Sequence, residues 1–103
     1  MVVSDALWGG QLTSVLFDPV THSCELRVVV TTDGVEITYA IQCDRVSSVH
    51  FQNGIPEPWE YAEVTEAELT TDTASGLTTL DLMLWSEDAK LAISATSISI
   101  VPA

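Results

Sequence analysis

The stretch Cys24-Glu25-Leu26-Arg27-Val28-Val29-Val30-Thr31-Thr32-Asp33-Gly34-Val35-Glu36-Ile37-Thr38-Tyr39-Ala40-Ile41-Gln42-Cys43 decides the fold. Asp33-Gly34 at its centre suits a two-residue type I′ hairpin loop, which needs positive φ at both positions. That loop sets Thr32 against Val35, Val30 against Ile37, Val28 against Tyr39, Leu26 against Ile41 and Cys24 against Cys43. All but Thr32 are apolar or thiol, so this face is predicted to be the core. The other face sets Thr31 against Glu36, Val29 against Thr38, Arg27 against Ala40 and Glu25 against Gln42, a mostly polar set. A one-residue slip would send every side chain to the wrong side, so the loop and the two faces support each other.

Working outward, turn signals recur at short intervals: Asp18-Pro19, Asp33-Gly34, Cys43-Asp44, Asn53-Gly54-Ile55-Pro56-Glu57-Pro58, Ser75-Gly76 and Glu87-Asp88. Segments rich in Val, Ile, Leu and Thr lie between them, each too short for an ordinary amphipathic helix. Seven strands are predicted, at about 10–17, 23–32, 35–43, 45–51, 61–72, 77–86 and 89–101. The fold class is all-β: an antiparallel sandwich or flattened barrel of about seven strands built from sequential hairpins. A two-residue loop at Glu87-Asp88 sets Leu84 against Leu91, Leu82 against Ile93 and Leu80 against Ala95 in the core, with Trp85 beside Lys90 outside. A two-residue loop at Ser75-Gly76 sets Glu68 against Met83 and Glu66 against Trp85, although 74–76 also suits a longer loop. Ile98 and Ile100 keep the apolar alternation only with a β-bulge near Thr96-Ser97. Residues 59–69 admit a short helix after Pro58 with an acidic stripe, but Thr70-Thr71-Asp72-Thr73 continues them in β-favouring residues, which favours a strand.

The chain has 103 residues, the size of one domain spanning 1–103 with one hydrophobic core. Apolar residues make up 47 % and charged residues 17 %, with 15 Asp and Glu against 3 Lys and Arg. Such apolarity excludes a disordered acidic chain. A net charge of −12 repels phosphate, which excludes a nucleic-acid partner bound through a basic face. No apolar run approaches the ~20 residues that cross a bilayer as a helix, so no membrane partner is expected. The start Met-Val-Val-Ser-Asp has no positive n-region, so the chain is read as cytoplasmic, with its two cysteines reduced.

Soft-metal ligands are confined to His22, Cys24, Cys43 and His50, in none of the usual metal-binding spacings; no metal and no cofactor are expected. Catalysis needs a base, and only two His and one Lys are on offer, with no nucleophile elbow and no Gly-rich phosphate loop. Asp81 with Glu68 is the carboxylate pair best placed for acid–base work, and such a pair reads more simply as a solvated face. No catalytic residues are assigned, and the chain is read as a non-enzyme.

The acidic run is the distinctive feature. Glu57, Glu60, Glu63, Glu66, Glu68 and Asp72 fall within sixteen residues that contain no Lys or Arg. Solubility alone is one account of it. The other is recognition: on the outward face derived above, Met83 and Trp85 stand among Glu66, Glu68 and Asp81, with Glu60 and Glu63 as rim. An exposed aromatic ringed by carboxylates suits a basic protein partner, the ring giving buried area and the charges giving steering. Two alternatives stand beside this reading. One is a small-molecule or carbohydrate-binding β module using Trp8, Trp59 and Trp85, which requires at least two of those rings in one groove. The other is a self-associating structural domain, a homodimer rather than a monomer, paired through an exposed edge strand.

The strand end Val46-Ser47-Ser48-Val49-His50-Phe51, followed by a Pro-rich connection into Trp59-Glu60-Tyr61-Ala62-Glu63-Val64, resembles small acidic all-β immunity-type proteins of bacterial polymorphic toxin systems. The resemblance implies a stoichiometric inhibitor of a neighbouring toxin, often a basic nuclease. It transfers no residue roles.

Overall fold

β-Branched and leucine-rich segments with period-two burial form six antiparallel strands in the computed structural model, which describes residues 4–86 and 88–103. The strands are β1 (Gln11–Asp18), β2 (Ser23–Thr32), β3 (Val35–Asn53), β4 (Ala62–Thr71), β5 (Thr78–Leu84) and β6 (Ala89–Pro102). They pair in the order β1-β2-β3-β6-β5-β4 and close into a barrel. The closing seam is short, with only Gln11 opposite Glu63 and Leu12 opposite Ala62. A single 3-10 turn at Ser4–Leu7 precedes β1 and extends the seam: Gly9 N–H donates to Val64 O (2.7 Å) and Val64 N–H to Gly10 O (2.8 Å). Gly10 is required there, since a Cβ would lie 2.7 Å from Val28 Cγ1 and 3.0 Å from the Leu7 carbonyl. A barrel of so few strands is filled by its own side chains, here Leu26, Val28, Ile41, Val64, Leu80, Leu82, Leu84 and Ile93, all essentially without exposure.

The central hairpin has the expected register at all nine positions from Thr32–Val35 to Cys24–Cys43, and one further pair, Ser23–Asp44, extends it. Asp33 and Gly34 take φ of 52° and 78°, as a type I′ loop demands. The expected core face holds only in part. Val28, Leu26, Ile41 and both cysteines are buried, whereas Val35 and Ile37 are exposed. The β3–β6 ladder ends at Tyr39–Pro102, so the hairpin tip overhangs the barrel with no third strand behind it among the described residues.

Six strands replace the anticipated seven because Cys43-Asp44 is not a turn. β3 runs through it for 19 residues. At ~3.3 Å per residue a straight strand of that length would span about 60 Å, against a longest molecular dimension of 39 Å, so β3 must bend. Arg45, with φ of 55°, marks the bend, and the buried phase of β3 passes from Cys43 to half-buried Val46. β6 changes phase opposite, between Ala95 and Ile98, as its apolar pattern suggested. The bulge itself, however, lies in β3 between Val46 and Ser48 rather than at Thr96-Ser97.

Both remaining hairpin registers differ from expectation by two residues. Glu87 lies outside the described residues, as do residues 1–3. β5 ends at Leu84, which pairs with Ala89, so residues 85–88 form the connection and Leu82 meets Leu91. Trp85 and Ser86 there both have positive φ, 52° and 65°, although neither is glycine. Left-handed backbone costs a residue with a side chain about 1–2 kcal/mol. Ser86→Gly is therefore expected to stabilise the fold by about 1 kcal/mol in urea unfolding; no gain would show the turn to be unstrained. The β4–β5 loop takes the longer form, with Thr71 opposite Thr78, Glu68 opposite Asp81 and Glu66 opposite Met83. Residues 62–71 are a strand, as favoured, and no helix starts after Pro58.

Candidate functional site

The residues proposed for partner binding do not share one patch. Glu66 and Glu68 are exposed on the outer face of β4, with Met83 and Asp81 opposite them on β5. Glu68 and Asp81, like charges directly opposite, repel each other at a cost of a few tenths of a kcal/mol. Lys90, opposite Met83, relieves this by reaching Asp81 Oδ1 at 3.8 Å rather than stacking on Trp85. Trp85 has left this face altogether. A two-residue turn would have kept it in an outward strand position, but the strand stops one residue earlier and the left-handed turn redirects the indole. Its backbone N–H donates to Glu63 O (3.0 Å), and its ring packs on the core beside Trp59 and Tyr61.

The rings that gather are Phe51, Trp59, Tyr61 and Trp85. Phe51 meets Trp59 edge-on at 6.1 Å, Trp59 meets Trp85 edge-on at 6.1 Å, and Tyr61 lies 5.6 Å from Trp85 at a tilt of 41°. Edge-to-face geometry is the arrangement ring quadrupoles favour. An apolar groove of about 360 Å³ lies over this cluster, bounded by Leu12 to Val15, Val49, Phe51, Trp59, Glu60 and Tyr61. Its origin is topological: β1 parts from β4 after Leu12, and the connection from Asn53 to Ala62 carries Trp59 and Tyr61 into the gap. Asn53 anchors that connection by accepting from Ile55 N–H (2.8 Å) and donating to Ile55 O (2.7 Å). Phe51 and Tyr61 stay exposed. The buried indole N–H groups of Trp59 and Trp85 have no hydrogen-bond acceptor among the described residues. Trp8 stands apart, its Nε1–H donating to Ala67 O at 2.9 Å.

Glu60 lines the groove and Glu63 follows on exposed β4, so carboxylates run from the groove down β4 through Glu66 to Glu68. Phe51 and Tyr61 were not singled out from sequence. The available signal was three aromatics, at 51, 59 and 61, bracketing one Pro-rich connection.

Cys24 and Cys43 face each other as free thiols in the core. Burial pushes the Cys43 thiol up to about 12, helped by the neighbouring Cys24 and Asp44 charges, and burial also raises Cys24. Neither thiol is a nucleophile near neutral pH. His22 and His50 are both exposed, and no group of three His, Cys, Asp or Glu able to hold a metal converges among the described residues. Asp18 is held below its ordinary value by backbone N–H bonds from Val20 (2.9 Å) and Thr21. Asp72 is held down likewise by Ala74 N–H (2.9 Å) and the Ser75 hydroxyl. Both are loop clamps that lock turns rather than site groups.

Fold and groove together define the class: a small closed antiparallel barrel with an aromatic groove at a short seam. Among solved structures the chain is similar to a crystal structure of an uncharacterized protein from Neisseria gonorrhoeae, with a TM-score of 0.73, 14 % identity and 93 % of each chain covered. At that identity the likeness establishes the fold. No family model matches the chain, and neither does any curated protein. No helix among the described residues is long and apolar enough to cross a membrane.

Proposed function

We propose that this chain is a non-enzymatic binding domain for a basic protein, of the immunity-inhibitor kind, anchored at the aromatic groove. The observation that carries the reading is the meeting of exposed Phe51 and Tyr61 with Glu60 in one apolar groove, in a chain of net charge −12. An Arg or Lys side chain entering such a groove gains ring-face attraction and a carboxylate partner at once. Glu63, Glu66, Glu68 and Asp81 lie down the same strand pair, where they steer approach more than they hold. Met83 stands on the outer face beside these carboxylates, and Trp85 backs the rings rather than making direct contact.

The test is a pull-down from the native host, followed by titration of any basic protein recovered. Tyr61→Ala and Phe51→Ala are each expected to cost about 2 kcal/mol, roughly thirtyfold in affinity. Glu66→Lys with Glu68→Lys should chiefly slow association and flatten its salt dependence. Recovery of no basic protein, or affinity indifferent to both ring substitutions, would leave the acidity as solubility alone.

A small-molecule or carbohydrate site is the second reading. It gains from the placing of two of the three Trp rings, Trp59 and Trp85, in one cluster with unpaired indole N–H groups. Their mutual angle of 76° offers no flat stacking platform for a sugar, which is why the protein partner is preferred. Quenching of Trp fluorescence by simple sugars, lost in Tyr61→Ala, would reverse that preference.

A further inference from the structure

We propose that the free edge of β1 is a self-association edge, on which Ser14–Phe17 pairs antiparallel with the same strand of a second copy. β1 is bonded to β2 along its length on one side, but on the other it meets β4 only at Gln11 and Leu12. From Thr13 onward its outer edge has no strand partner among the described residues. Such an edge is a template for another strand unless charge, proline or a covering segment blocks it. Here Val15, Leu16 and Phe17 are 39 %, 67 % and 47 % exposed in one unbroken run, and no charged residue or proline occurs between Gln11 and Phe17.

Charge identifies the occupant. Two copies, each of net charge −12, repel over most of their surfaces, so self-contact is tolerable only where the carboxylates are missing. The edge from Gln11 to Phe17 carries none of the 15. A two-fold axis at Leu16 sets Leu16 on its own copy, Val15 on Phe17 and Ser14 on Asp18, so no carboxylate faces another. The neighbouring strand is quiet too: Glu25, opposite Leu16, is neutralised by Arg27 at 3.3 Å. A basic partner anchored in the groove meets this strip only at Ser14 and Val15, whereas Leu16 and Phe17 beyond it offer a second copy apolar side chains of its own kind.

A strip this short gives weak association, and its salt response is opposite to that of the basic partner. Salt screens the repulsion between copies and so promotes pairing, whereas it weakens attraction to a cation. Sedimentation velocity of the whole chain from about 10 µM to about 1 mM, at about 50 mM and about 500 mM NaCl, tests this. The mean mass is expected to rise from 11.1 kDa towards twice that value, more so at high salt. Leu16→Lys should return the monomer, and Val35→Lys, on the exposed hairpin tip, should not. Slower amide exchange at Ser14–Phe17 on concentrating the unmodified protein reads the same pairing without a substitution. A monomer throughout at high salt, or a dimer indifferent to Leu16→Lys, overturns the proposal; Leu16 does not line the groove, so neither outcome decides whether a basic partner binds Phe51 and Tyr61.

Discussion

Ile41→Ala should destabilise the protein by about 2–5 kcal/mol, while Ile37→Ala, four residues earlier on the same face of the same strand, should cost less than about 1 kcal/mol. Ile41 has no exposure and sits between Leu26 on β2 and Ile100 on β6, so truncation leaves a cavity that three strands cannot collapse around. Ile37 is 39 % exposed beyond the end of the β6 ladder, where water already reaches the lost methyl groups. For a domain whose whole stability is of the order of 5–15 kcal/mol, the first substitution is severe and the second minor. Equilibrium urea unfolding of the two variants checks both figures. Equal costs would mean that the hairpin tip is covered in solution.

The second large effect is alkaline. A thiol with an ordinary value of 9.0 that is pushed to about 12 in the folded state keeps its proton in the fold after the unfolded chain has lost it. The stabilisation is therefore complete below pH 9 and is lost as pH rises towards 12, at about 1.4 kcal/mol per pH unit for this one group. Across the three units between 9.0 and about 12 the loss is on the order of 4 kcal/mol. Cys24, raised by the same burial, adds in the same direction. Unfolding midpoints between pH 7 and pH 11 should fall steeply above pH 9 in the unmodified chain and less steeply in Cys43→Ala, which removes the titrating group and its coupling to Cys24. Identical slopes would show that the thiols are solvated. At neutral pH both cysteines should resist alkylation until the chain unfolds. The carboxylate clamps act at the other end of the scale: Asp18 and Asp72, held below 3.8, support their turns above that pH and release them as acid protonates them.

The nine pairs of the central hairpin from Thr32–Val35 to Cys24–Cys43 were legible because everything that sets them is local: Asp33-Gly34 admits one loop type, and two adjacent strands then have one register in which both faces make sense. The other two hairpins show where this logic stops. Ser75-Gly76 and Glu87-Asp88 are turn-forming pairs as well, yet the β4–β5 loop runs over six residues and the β5–β6 connection over four. A shift of two residues preserves the faces, so alternation could not detect it. Only the packing of Leu82 against both Ala67 and Leu91 across three strands chooses between the registers. Cys43-Asp44 is ambiguous for a similar reason, since a residue able to take positive φ can end a strand or merely bend it, and β6 alongside made it a bend.

The acidity, the single apolar core, the all-β class and the central register were determined by residue types and short spacings, which act between neighbours in the chain. Closure of the barrel, the aromatic groove and the open edge of β1 were decided only by tertiary structure. Closure and groove join segments 30 or more residues apart, such as Gln11 with Glu63, Val15 with Phe51, or Asp44 with Ser97, and the open edge is what that closure leaves unpaired. Pairings of that kind depend on which edge is still vacant once the local hairpins have formed, and no local pattern records it. Trp85 is the clearest case. Its strand-like neighbours pointed it outward beside Met83, and the left-handed turn at Trp85 brought it in beside Trp59 and Tyr61, where packing on the core removes more of the indole from water than the outer face would.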